Sequence, residues 1–108
     1  MVNLSLTGGP VTASTTPATV FTNTTGLATR VLSVTVAQGS SAVAKTVRIS
    51  IGTDGATTRV LELALAAGVG EAQRFPGWVL TGTQTLQLSA TAGNNEAVVT
   101  INGQKDSA

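Results

Sequence analysis

Apolar and polar residues alternate along most of this chain, and the alternation comes in short runs separated by turn-forming residues. The clearest case is Thr46 to Gly52, where Val47, Ile49 and Ile51 share one face and Arg48 and Ser50 the other. A period of two is the signature of a half-buried strand. Thr29 to Ala37 repeats it, with Leu32, Val34 and Val36 on one face and Val31, Ser33 and Thr35 on the other. Arg59 to Leu65 sets Leu61, Leu63 and Leu65 against Val60, Glu62 and Ala64. Its Leu, Glu and Ala content would also suit a short helix through Ala67, but the period favours a strand. Thr85 to Ala92 points Leu86, Leu88 and Ala90 inward, and Ala97 to Asn102 pairs Val99 with Ile101. Thr19 to Asn23, Ala72 to Phe75 and Trp78 to Leu80 are shorter runs of the same kind, the last two parted by Pro76-Gly77, which marks a kink or an edge.

The punctuation agrees. Thr24-Thr25-Gly26, Gln38-Gly39-Ser40-Ser41, Gly68-Val69-Gly70 and Gly93-Asn94-Asn95 are turn sequences, and Asp54-Gly55 is a hairpin signal. These elements predict an all-β fold: a single antiparallel β-sandwich of seven or eight short strands, with a jelly roll among the arrangements open to it. The domain is expected over residues 18–104, with a polar tail at 105–108. Residues 1–17 form an N-terminal arm, because Gly8-Gly9-Pro10 and Ser14-Thr15-Thr16-Pro17 interrupt the Leu4/Leu6 alternation. That arm is either a frayed end or a short strand docking on a neighbour. Its deletion is expected to spare the fold, since the first firm strand signal comes at Thr19.

Composition narrows the function. At 108 residues, one core can bury roughly 65% of the unfolded surface. Charged residues make up 10% and aromatic residues 3%, with a net charge of +1. A typical domain is about 25% charged, so here Thr, Ser, Asn, Gln, Ala and Gly must cover the surface, and little repulsion keeps copies apart. Six scattered cations, Arg30, Lys45, Arg48, Arg59, Arg74 and Lys105, offer no cluster for nucleic acid, which needs several together. No apolar run reaches the length of a membrane span. The start lacks a secretory pattern, so synthesis in the cytoplasm without a signal peptide is expected.

Histidine and cysteine are absent, which removes the usual general base, thiol nucleophile and soft metal ligands. The carboxylates Asp54, Glu62, Glu71, Glu96 and Asp106 fall singly, without the pairing of a glycosidase or the clustering of a calcium site. Gly68-Val69-Gly70 lacks the third glycine and crossover of a dinucleotide fingerprint. Asn3-Leu4-Ser5 and Asn23-Thr24-Thr25 match the glycosylation pattern by chance in a Thr-rich chain. No catalytic, cofactor or metal site is expected. The unbalanced faces are more informative: Val31, Val60 and Val98 stand where solvent-facing polar residues belong, and few charges guard the edges. With Leu4 and Leu6 of the arm and the single tryptophan, Trp78, they are the expected interface residues.

Certain runs resemble a family. Pro17-Ala18-Thr19-Val20-Phe21-Thr22, Ala28 to Val36, Val47 to Gly52, the Ala66-Ala67-Gly68 turn, and Pro76-Gly77-Trp78-Val79-Leu80 ahead of Gly82 and Leu86 are similar to small β-sandwich structural proteins of tailed bacteriophages. The match covers about residues 17–103 and rests on spacing and small-residue pattern. It implies a non-enzymatic, multi-copy virion protein, often a trimer, that binds the major capsid protein or other virion proteins. A capsid decoration (cement) protein is the leading expectation, a tail, neck or fibre component the next. An adhesion or ligand-binding module stands apart from both, and exposed aromatics around Trp78 would mark it.

Overall fold

A computed structural model describes the backbone of residues 4–107 and the side chains of residues 12–105. Among the described residues there are nine strands: β1 (Leu4–Thr12), β2 (Ala18–Thr22), β3 (Leu27–Gln38), β4 (Lys45–Ile51), β5 (Arg59–Leu65), β6 (Gly70–Arg74), β7 (Trp78–Leu80), β8 (Thr85–Ala90) and β9 (Ala97–Ser107). No helix occurs among the described residues. One sheet runs β1-β9-β3-β6 with β7 also on β3, and the other runs β2-β8-β4-β5. β6 and β7 lie end to end along β3, opposite Val34 to Gln38 and Thr29 to Val31 respectively. They are one edge strand interrupted by Phe75-Pro76-Gly77, which leaves eight strand positions.

The pairing is that of a long antiparallel ribbon, first strand with last, second with second last, wrapped on itself. β1 pairs β9, β2 pairs β8, β3 pairs β6 and β7, and β4 pairs β5; wrapping adds β3 to β9 and β4 to β8. This is a jelly roll. The core lies between the sheets: Val31, Val34, Val36, Leu80, Val99 and Ile101 from one side meet Val47, Ile49, Leu63, Leu86 and Leu88 from the other.

Four strands carry an irregularity in register, and these change which residues face inward. In β3, Val31 pairs Gly103 and Ser33 pairs Asn102, so Leu32 has no partner. A bulge of this kind puts two residues against one and reverses the alternation. Val31 is therefore fully buried and Leu32 is 40% exposed. The expectation that Leu32 shares the inner face with Val34 and Val36 is corrected, and so is Val31 as an interface residue. Val60 in β5 and Val20 in β2 are skipped in the same way.

The ends of the chain differ from expectation too. Leu4–Thr12 is a sheet strand on β9 of its own chain, with its register shift at Gly9-Pro10. β1 is an edge strand, and proline is tolerated at edges and bulges, where no ladder donor is needed. β9 runs on through residues 105–107 beside β1 and β3, so within the expected arm and polar tail residues 4–12 and 105–107 are paired strand. Ala13 is fully buried and its N–H donates to Ala97 O at 2.8 Å. Deleting residues 1–16 would strip β1 and a core residue, and is expected to destabilise the domain rather than spare it. The side chains of Leu4 and Leu6 lie outside the described residues. Asp54-Gly55 also departs from a tight hairpin: β4 and β5 are joined by residues 52–58, closed by Ile51 N–H to Thr58 O at 3.0 Å.

Gly103 shows how tightly the bulge is drawn. A Cβ there would collide with the backbone carbonyl oxygen of Arg30 and press on the Val31 backbone. Neither can yield without moving β3. Gly103→Ala is expected to cost about 1–3 kcal/mol, read as a lower midpoint in urea; an unchanged midpoint would mean that β3 and β9 separate freely.

Candidate functional site

The loops gather at two ends. Residues 13–17, 39–44, 66–69 and 91–96 meet at one end, and residues 23–26, 52–58 and 81–84 at the other. Each end is closed by a buried polar side chain. At the first, Lys45 is buried, and its ammonium donates to Gln38 Oε1 and to Val43 O, both at 2.6 Å, and faces Glu96 Oε2 at 3.0 Å. An ammonium has three donors, and all three are used. Gln38 passes the connection on, its Nε2 donating to Ala66 O and Gly68 O. Glu96 also accepts from Val43 N–H at 2.9 Å. Three loops are thus tied through one lysine, and its chemistry is consumed in holding them.

The Val43 amide, followed by the Lys45 ammonium, holds the Glu96 carboxyl below its ordinary value of 4.5. A carboxyl with a depressed pKa binds its proton more weakly when folded than when unfolded. Its stabilisation is complete above the unfolded value and is lost as pH falls through the folded one. Arg59 and then Ser50 lower Asp54 in the same way. Stability is therefore expected to fall as pH drops below about 4.5, and Glu96→Gln should flatten part of that fall in denaturation midpoints measured from pH 6 to pH 3.

Among the described residues no group of three or more His, Cys, Asp or Glu could hold a metal ion. The charged side chains of the outer face of the second sheet neutralise one another: Arg48 meets Glu62 at 3.2 Å, and Arg59 meets Asp54 at 3.2 Å and Glu62 at 3.9 Å. Beside them runs an open depression of about 450 Å³, lined by Ala56, Arg59, Val60, Leu61 and Glu62 along the free edge of β5.

The sequence-selected interface residues do not form one patch. Val31 is in the core, directly across from Trp78 in the β3–β7 pairing. Trp78 is half-buried and packs on the core. Val60 and Val98 are each 39% exposed, Val60 at the β5 bulge and Val98 on the other sheet opposite Ala37 and Thr12. Exposed apolar residues that the pattern did not single out are Val69, Phe75, Val43, Val79 and Leu32. Phe75 occupies the break between β6 and β7, and Leu32 its bulge; a turn residue and a bulged residue carry no periodic signal. The face of the β9–β3 sheet between Leu32 and Val98 presents Ser33, Thr35, Thr100 and Asn102, without charge.

No protein-family model and no curated protein sequence matches the chain. Among solved structures it is similar to a subunit of the Bacillus endospore appendages, described as a family of disulfide-linked pili. The TM-score is 0.52 at 17% identity, over 98% of this chain and 85% of the other. It is also similar to a chain of infectious bursal disease virus, Gx strain, with a TM-score of 0.46 at 16% identity over 96% of this chain and 31% of that one. At such identities the pilus likeness speaks for the fold.

Proposed function

We propose that this chain is a non-enzymatic structural subunit of a large particle, and specifically a capsid decoration protein bound to the outside of a phage head in many copies. The observation that carries the reading is a jelly roll whose outer faces are covered by hydroxyl, amide and small apolar side chains, with the charges on the second sheet paired off internally. Such faces repel neither one another nor a protein shell. The resemblance of residues 17–103 to phage head and tail proteins supports it, and the fold shared with a pilus subunit is in keeping with repeated packing. This chain has no cysteine, so its copies cannot be joined by disulfides. The partners in this reading are the major capsid protein and further copies of the chain, as a trimer, and the location is the virion. Each bound copy would add interface across capsomer junctions and stabilise the shell by mass action.

Mass spectrometry of purified particles, with copies counted against the major shell protein, tests the proposal. Copies in the hundreds are expected on the order set by a decorated shell. A handful per particle would move the protein to the tail, neck or fibres, and absence from particles would overturn the virion reading.

A further inference from the structure

A sandwich of two open sheets has four edge strands, here β1 and β6–β7 on one sheet and β2 and β5 on the other. Three are blunted in ways that discourage strand addition. β1 carries the Gly9-Pro10 irregularity, β2 is five residues long with a bulge at Val20, and β6–β7 is broken by Phe75-Pro76-Gly77. β5 differs. Past its bulge at Val60 it continues as Leu61-Glu62-Leu63-Ala64-Leu65, without proline, glycine or further irregularity.

The direction of the free backbone groups follows from the neighbouring pairings. Thr46 donates its N–H to Thr91 Oγ1 at 2.9 Å and accepts at its carbonyl from Thr91 N–H at 3.0 Å, so its backbone faces the β8 side. Alternate residues of a strand point opposite ways, which turns Lys45, Val47 and Ile49 toward β5. Their partners there are Leu65, Leu63 and Leu61. The N–H and C=O groups of Glu62 and Ala64 therefore face the open edge.

We propose that the β5 edge binds the β5 edge of a second copy of this chain, antiparallel about a dyad at Leu63, a twofold contact separate from the threefold association of the proposed function. Two features select a copy over another strand. The segment is nearly the same read in either direction, so Leu63 meets the partner's Leu63, Leu61 meets the partner's Leu65, and Glu62 meets the partner's Ala64. Leucines thus continue the core side of both sheets, and half-buried Leu61 gains cover. The charges also agree: the single acidic side chain of the segment is opposed by alanine, and each Glu62 is already held by its own Arg48 and Arg59. Glu62 and the partner's Ala64 exchange two backbone hydrogen bonds, and symmetry repeats them. The partner's Leu65 and Ala66 fall opposite Leu61 and Val60, over the depression beside the edge.

This inference rests on the edge and not on the virion reading, and its test leaves particle counts untouched. The chain has no cysteine, so introduced ones report alone. Glu62→Cys and Ala64→Cys variants of the full chain are purified separately, mixed, oxidised and run on a denaturing gel. Hydrogen-bonded antiparallel partners lie at about 5.5 Å between Cα atoms, within disulfide reach, whereas Glu62 and its own copy sit on a diagonal of about 7–8 Å. The mixture is expected to give covalent dimer as its main product while each variant alone stays monomeric on the gel. Dimer no greater in the mixture than in the separate variants overturns the proposal. In a second measurement Ala64→Pro, which removes a donor only from the open edge, is expected to lower the sedimentation coefficient of the unlabelled protein while circular dichroism keeps its β signal. A folded Ala64→Pro that associates like the parent also overturns it.

Discussion

Ile49→Asp is expected to leave no folded protein at room temperature. Ile49 is fully buried at the centre of β4, paired with Leu61 of β5 on one side and Leu88 of β8 on the other. Removing its side chain alone forfeits about 2–5 kcal/mol. The carboxylate then faces the opposite sheet among leucines and valines, with no donor within the core, and adds several kcal/mol more whether it stays charged or takes up a proton. Together these reach the 5–15 kcal/mol that about spans the stability of single domains. Circular dichroism without the β signal and loss of a cooperative unfolding transition are the readout. Ile49→Val, expected to cost only about 0.5–1.5 kcal/mol, separates the charge from the position. A soluble, cooperatively folding Ile49→Asp would show that β4 turns this face to solvent.

Asn23→Ala is expected to cost about 3–5 kcal/mol, large for a polar residue between a strand and a turn. Asn23 is 2% exposed. Its Nδ2 donates to Leu27 O at 2.8 Å and Gly82 O at 2.9 Å, and its Oδ1 accepts from the buried Thr29 hydroxyl at 2.6 Å. The amide thereby closes the end opposite Lys45, joining the β2–β3 turn to the β7–β8 turn. Alanine strands two carbonyls and a hydroxyl where water has little access, each at about 1–3 kcal/mol. In urea the midpoint should fall with the slope unchanged. Asn23→Asp, which keeps the acceptor and loses the donors, should cost about as much as alanine; a small effect of either would mean that water replaces the side chain. The same burial makes the Asn23-Thr24-Thr25 glycosylation pattern inaccessible in the folded domain.

The alternation of Val47 and Ile49 was enough to place β4 and its inner face, although Ser50, expected outward, is fully buried beneath Asp54, and that of Leu86 and Leu88, or Val99 and Ile101, did the same for β8 and β9. Alternation is a local property: a strand half-buried in a sandwich must repeat every second residue, whatever strand lies beside it. The antiparallel sandwich class and the break at Pro76-Gly77 were legible for the same reason.

Other features depend on partners far along the chain. Whether Val31 or Leu32 faces the core is decided by a two-against-one pairing with Gly103 and Asn102, some seventy residues away, and nothing local to Val31-Leu32-Ser33 marks it. Only the pairing could show that Leu4–Thr12 belongs to the sheet, because Gly8-Gly9-Pro10 suits an edge bulge as well as it suits a loop. Lys45 and Asn23 read as surface residues by type, yet both are buried, since the ends of a jelly roll collect loop carbonyls that need donors. Local alternation decided which residues make strands. The register of the long-range pairings, with their two-against-one positions, decided which side chains those strands bury, and the strand order decided which edges stay open.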